Sequence, residues 1–146
     1  IETINKLHNK FELPYLGSDI IVGFPGEEEE DFIETYNNLK KLKLSKIHCF
    51  PYSRREDTPA YSMKNQTKDS IKKKRTEKIL ELSHELHKDF LDKNKNKTEE
   101  ILIQKKASNG LYSAVTRNYI TIHFKSERDD LQHTLRQVNL SNYILE

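Results

Sequence analysis

One cysteine, Cys49, is all the thiol this 146-residue chain holds. That excludes an internal disulfide framework and any metal site built from several of its own cysteines. It also makes a reducing, cytoplasmic setting the expectation. No apolar run approaches the roughly 20 residues that span a bilayer, so no membrane partner is expected. No signal-type segment opens the chain. The six histidines include no His-Glu-x-x-His pattern. His84 and His87, three apart, read as helix surface rather than a metal pair. Hydrophobic residues make up only 34% against 33% charged, which suggests charged helices between modest cores.

The net charge of +2 identifies no partner, but its distribution is uneven. Residues 27–34 hold six acids and no base, whereas residues 64–97 hold eleven Lys/Arg against six Asp/Glu. Ile1, Ile4, Leu7 and Phe11 recur at helical spacing, and Pro14 stops that helix. Residues 18–24 form an apolar, β-branched run of the kind buried on both faces in parallel sheets. Pro25-Gly26 punctuates it. A second helix follows through Phe32, Ile33, Tyr36, Leu39 and Leu42, acidic at its start and Lys-rich at its end, as the helix dipole prefers. Residues 46–50 are a second strand. This alternation is that of a parallel α/β sheet. Two strands neither close a barrel nor bury enough to be independently stable. Since the chain opens on mid-domain helix at Ile1 rather than on Met, a piece of a longer protein is expected.

Residues 53–67 read as loop. Asp69 to Lys93 reads as one long helix with an apolar stripe through Ile71, Ile79, Leu82, Leu86 and Phe90, widened by Leu80 and Leu91. Its run Lys72-Lys73-Lys74-Arg75 reads as solvated helix surface. Its like-charge pairs Glu77–Glu81 and Glu85–Asp89 make it dependent on tertiary packing. Beyond Thr98 the period becomes two, with Ile101 and Ile103, a turn at Asn109-Gly110, a strand over Tyr119–Phe124 and another through Leu135, Val138 and Leu140. Short strands this close together imply a small antiparallel barrel or sandwich.

Two strings carry the chemistry. The first is Asp19-Ile20-Ile21-Val22-Gly23-Phe24-Pro25-Gly26-Glu27, a strand running into a bare turn. The second is Phe50-Pro51-Tyr52-Ser53-Arg54-Arg55-Glu56-Asp57-Thr58-Pro59-Ala60. Together they resemble the end of the barrel of radical S-adenosylmethionine methylthiotransferases. The second string departs from the family pattern at Asp57, where glycine is usual. Residues after 98 resemble a TRAM domain, a small RNA-binding β-barrel. That likeness rests on Gly110 and on Thr116-Arg117-Asn118-Tyr119, which matches the Thr-x-Asn-Tyr of the subgroup modifying threonylcarbamoyladenosine.

The resemblance implies residues 1–62 as the last part of a barrel, 63–97 as a linking helix and 98–146 as a TRAM-like barrel. It implies an enzyme that uses S-adenosylmethionine and 4Fe–4S clusters to methylthiolate C2 of adenosine 37 in tRNA. Ile21, Gly23, Gly26, Glu27, Phe50 and Tyr52 are then expected at the adenosyl group, with Glu27 holding the loop and Arg54 or Arg55 meeting a carboxylate or phosphate. Tyr112, Arg117, Asn118, Tyr119 and Lys125 are expected on RNA, with the acidic loop 127–130 away from it. The family's Cys-x3-Cys-x2-Cys set is absent, so no cluster is expected on this chain alone, and no activity without the missing N-terminal part. Cys49 reads as a small buried residue. The alternatives are a free-standing RNA-binding adaptor with no open sheet edge in residues 1–60, and an enzyme acting on isopentenyl-adenosine or a ribosomal protein.

Overall fold

The computed structural model describes residues 1–146. The chain divides into two compact units, one of residues 1–12 and 16–87, the other of residues 13–15 and 88–146.

In the first unit α1 (Glu2–Lys10) is followed by β1 (Gly17–Val22), α2 (Glu29–Leu42) and β2 (Lys46–Pro51). β1 and β2 pair in parallel from Gly17 opposite Lys46 to Val22 opposite Pro51, with α2 as the crossover. At the start of α2 the Glu28 amide donates to the Asp31 carboxylate at 2.9 Å, and Lys43 ends the helix in the left-handed conformation. After a short 3-10 turn over Pro59–Ser62 comes α3 (Asp69–Asn94), whose residues to His87 belong to this unit. The linking helix expected over 63–97 is therefore shared between the two units.

One sheet face packs on the helices. Val22 and Ile47 are buried with Phe32 and Leu39 of α2 and Ile79 and Leu82 of α3, and Ile20 and Cys49 are partly buried against them. The opposite face carries Ile21 and Phe50 side by side in register, 59% and 52% exposed. The expectation of a strand buried on both faces is thus corrected: the helices cover one face only. The stripe expected on α3 is corrected as well. Ile71 and Leu80 are exposed, whereas Arg75 and Ser83 are buried on the core side.

The Ser83 hydroxyl accepts from the Ile47 amide at 3.0 Å and donates to the Ile47 carbonyl at 2.9 Å. It thereby satisfies two main-chain groups that β1 does not. Ser83→Ala is expected to destabilise this unit by about 1–3 kcal/mol in urea titration, because both groups are left buried without a partner. A change below about 0.5 kcal/mol would show that water replaces the hydroxyl.

The second unit is a four-stranded antiparallel sheet of β3 (Thr98–Lys106), β4 (Leu111–Thr116), β5 (Thr121–Lys125) and β6 (Leu135–Asn139), in the order β5-β4-β3-β6. Gly110, at φ +79°, serves the β3–β4 turn, where the Leu111 amide donates to the Asn109 side chain. β4 alternates strictly, burying Tyr112, Ala114 and Thr116. With Phe90, Ile101, Ile103, Ile120, Ile122, Leu131 and Leu140, the apolar members form the core. Beyond β6 the chain returns to β5 through one bridge, Ile122 to Leu145. Thr121 and Glu146 exchange main-chain hydrogen bonds there, both 2.9 Å. The closed barrel expected from the sequence is therefore represented by an open sheet plus this bridge.

Candidate functional site

In the first unit the chain leaves β1 through a turn that its residues dictate. Glu27 N–H donates to the Phe24 carbonyl at 2.9 Å. Pro25 and Gly26, the latter at φ +87°, occupy the two central positions, as a type II turn requires. A Cβ at Gly26 would meet nothing within 4 Å, so that glycine is required by its dihedral alone. Gly23 differs: it lies at φ +72°, and a Cβ there would fall 2.5 Å from Lys72 Cγ. The space that a Gly23 side chain would need is filled by the Lys72 side chain of α3, so that side of the turn is closed to a ligand.

Beside the turn lies an open groove of about 650 Å³, walled by Ile21, Phe24, Phe50 and Tyr52 and flanked by Arg55 and Thr58. The Tyr52 amide extends the β1–β2 ladder to the Val22 carbonyl at 2.8 Å. The Phe24 and Tyr52 rings meet edge to face, centroids 5.2 Å apart. Arg54 is engaged elsewhere, since its Nε donates to the Tyr61 carbonyl at 2.8 Å and its guanidinium lies over the Tyr61 ring. Arg55 is the arginine left for a ligand. Asp57 has φ +64°, so the loop keeps the left-handed position that glycine would take. Of the expected adenosyl contacts, Ile21, Phe50 and Tyr52 come together in the groove, while Gly23, Gly26 and Glu27 lie outside its lining.

Glu27 works behind the turn. Its Oε2 accepts from the Gly23 amide at 2.9 Å, and its Oε1 accepts from Arg75 at 2.5 Å. Arg75 is 4% exposed. It also reaches the Glu27 carbonyl at 3.1 Å and Glu29 at 3.2 Å. The expectation that the whole Lys72–Arg75 run is solvated is corrected at Arg75 and at Lys72, whose side chain is only 13% exposed. The sequence signal for the burial of Arg75 is spacing: Arg75 lies four residues before Ile79 and seven before Leu82, on the buried stripe.

Cys49 faces the helices. Burial pushes its thiol above the usual range, the effect of Glu27 adds to this, and a hydrogen bond with Thr76 opposes it. A raised value means the thiolate forms only at higher pH. Alkylation by iodoacetamide is therefore expected to run slower than for a free thiol at neutral pH, and to keep climbing where a free thiol has levelled off. Equal rates at neutral pH would contradict this. No group of three or more His, Cys, Asp or Glu side chains could hold a metal ion, and His87 is turned onto the Ser45 carbonyl at 3.0 Å.

In the second unit the expected RNA residues part company. Tyr112 is buried, its hydroxyl donating to the Arg128 carbonyl at 2.7 Å and its ring stacked on Phe124. It presents no face to a base, which corrects that expectation. Asn118 is corrected likewise. Its amide nitrogen donates to the Leu13 carbonyl at 3.2 Å and to Asn94 at 3.0 Å, and its oxygen accepts from Thr116 at 2.7 Å. Across this hairpin end the Thr116 amide donates to the Ile120 carbonyl, and the Ile120 amide donates to the Thr116 hydroxyl, both at 2.9 Å. Tyr119 is held there at φ +63° and 72% exposed, in the turn and not in the strand that its propensity suggests. Arg117 is exposed and paired with Glu100 at 2.8 Å. Lys125 is exposed on β5. In the acidic loop Asp129 pairs with Lys106 and Asp130 with Arg128.

No protein-family model matches the chain. Over 134 residues it is 39% identical to the threonylcarbamoyladenosine tRNA methylthiotransferase MtaB of Bacillus subtilis, covering 88% of this chain and 29% of that protein. It is 40% identical over 121 residues to MtaB of Aquifex aeolicus, covering 83% and 28%. By sequence the chain is a relative of the tRNA methylthiotransferases. A tRNA-2-methylthio-N(6)-dimethylallyladenosine synthase of Acetivibrio thermocellus is 35% identical over 114 residues, covering 77% of the chain and 24% of the relative. The chain thus spans under a third of these methylthiotransferases' length and corresponds to a C-terminal portion of such an enzyme.

Proposed function

We propose that this chain supplies part of the nucleoside-cofactor site and a tRNA-gripping module of a radical S-adenosylmethionine methylthiotransferase acting at C2 of threonylcarbamoyladenosine 37. The observation that carries the reading is the uncovered apolar pair Ile21 and Phe50, in register on a parallel sheet. It walls a groove at the carboxyl ends of the strands with Arg55 beside it. Parallel α/β sheets bind ligands at that end.

The groove fits an adenosyl group: flat apolar walls take a purine, and Arg55 suits the carboxylate of an amino-acid tail. S-adenosylmethionine, when bound, supplies one-electron and methyl-transfer chemistry; this chain's part is to bind and orient it. A 4Fe–4S cluster does not fit the residues here, because the single cysteine faces the helices. β1 pairs with β2 alone, and we assign its other edge to a strand from the rest of the enzyme. A self-contained adaptor would leave neither that edge nor the Ile21 face open.

The second unit, read as TRAM-like, offers Tyr119 as a stacking face and Arg117 and Lys125 as phosphate contacts. Threonylcarbamoyladenosine is favoured over the dimethylallyl target because relatives named for it share 39% and 40% identity, against 35% for the named synthase. tRNA as the partner suits a cytoplasmic setting, and no helix is long and apolar enough to cross a membrane.

Titrating S-adenosylhomocysteine into the chain should perturb the Ile21, Phe24 and Phe50 resonances first. The affinity for tRNA should fall as salt rises. An Arg117→Ala, Lys125→Ala double variant should lower the log–log salt slope by about 1.4. Identical tRNA binding by that variant would refute the RNA face, and ligand shifts elsewhere would refute the groove.

A further inference from the structure

We propose that Arg75, on the helix after the groove loop, is the positioning residue of the ligand-facing turn. The inference rests on the groove being a nucleoside site.

Five donors on a guanidinium fork suit several acceptors at once, and Arg75 uses its two terminal nitrogens this way. One takes both the side chain and the main-chain carbonyl of Glu27, and the other takes Glu29. Its Nε is buried without a partner, so the group is held through the turn and the start of α2. The guanidinium also lies 5.3 Å from the Phe32 ring centroid. Glu27 passes the constraint on, since its second oxygen holds the Gly23 amide. Lys72, one helical turn before Thr76, packs its stem against the Gly23 Cα.

This arrangement leaves one peptide plane free. The amides of Gly23, Gly26 and Glu27 are taken by Glu27, the Asn65 carbonyl and the Phe24 carbonyl. The Phe24 carbonyl also accepts from Thr67. The Gly23 carbonyl and the Phe24 amide belong to the same peptide, and neither has a hydrogen bond within the chain. That peptide sits where Phe24 enters the groove wall. Its orientation follows from the dihedrals of Gly23, the residue with the fewest intrinsic restraints. The Arg75–Glu27–Gly23 relay supplies the restraint that glycine lacks, so a ligand meets a fixed donor or acceptor instead of a swivelling one.

The test uses the full 146-residue chain, nitrogen-15 labelled, with S-adenosylhomocysteine as the probe. In Arg75→Gln the Gly23 amide should shift and lose protection from hydrogen exchange. The probe should bind about tenfold more weakly, because the peptide that the relay held fixed must then be ordered on binding. The Ala114 and Ile122 resonances should stay in place. Lys74→Gln, at an exposed neighbour on the same helix, should bind as the parent does. If Arg75→Gln fails to fold, Arg75→Lys replaces it, keeping the charge without the fork, with the same expectation. Affinity within about twofold of the parent, or an unmoved Gly23 amide, overturns the positioning role and leaves the groove reading intact. A parent chain whose groove resonances ignore the probe overturns both.

Discussion

Gly23→Ala should weaken the first unit by about 2–5 kcal/mol in urea titration, because two effects add. A non-glycine residue at the +72° φ of Gly23 costs about 1–2 kcal/mol. The new methyl also lands 2.5 Å from Lys72 Cγ, and overpacking of that kind costs about 1–3 kcal/mol. Gly26→Ala separates the two. It carries a positive φ of the same kind with nothing within 4 Å, so it should cost about 1–2 kcal/mol only. Lys72→Ala in the Gly23→Ala background should recover the difference, and the cycle of four variants gives the coupling directly. Equal destabilisation at the two glycines would mean that Lys72 moves aside freely and does not define the back of the turn.

Tyr119→Gly should separate stability from RNA binding. Tyr119 sits in the left-handed region at φ +63°, a conformation that costs an ordinary residue about 1–2 kcal/mol and glycine almost nothing. Removing its ring from Tyr15, centroids 5.7 Å apart, offsets part of that relief. The second unit should therefore stay within about 1 kcal/mol of the parent's stability, or exceed it. Binding to tRNA should weaken by about 1–3 kcal/mol, the usual contribution of one base stacked on an aromatic ring. Unchanged tRNA affinity would remove Tyr119 from the interface. A clear drop in stability would show that the ring is a packing element and not a displayed one. Strain of this kind gathers at functional sites because the surrounding structure over-determines it. Here Thr116, Asn118 and Asn94 do so through three side-chain hydrogen bonds.

Much of the architecture is legible in the residues because hydrophobic period is local. Ile20 to Val22 have no helical alternative, Phe32 and Leu39 lie seven apart, and Ile101 and Ile103 lie two apart. The turn after β1 is equally legible, since Pro25 and Gly26 suit one turn type. Tyr119 shows where local signals fail. Its β-propensity points to a strand, but the Thr116 hydroxyl bonds the Ile120 amide and ends the ladder first. Tyr112 is legible in principle: it shares the buried period of Ala114 and Thr116, which an assignment to RNA overlooks. Asn118 resembles a recognition residue by its motif, yet its polar atoms hold the hairpin to Leu13 and Asn94.

Residue order alone determined the helix–strand alternation, the left-handed glycine turn and the change of period after Thr98, because each depends on dihedral preferences and on neighbours a few positions away. Only the tertiary structure decided that Arg75 is buried while Lys73 and Lys74 are exposed, that Ser83 bonds both main-chain groups of Ile47, and that Ile21 and Phe50 stay uncovered. Four adjacent cations are alike in propensity. Which of them leaves water depends on where Glu27 and Glu29 stand, and those carboxylates are brought there by a strand and a turn far earlier in the chain.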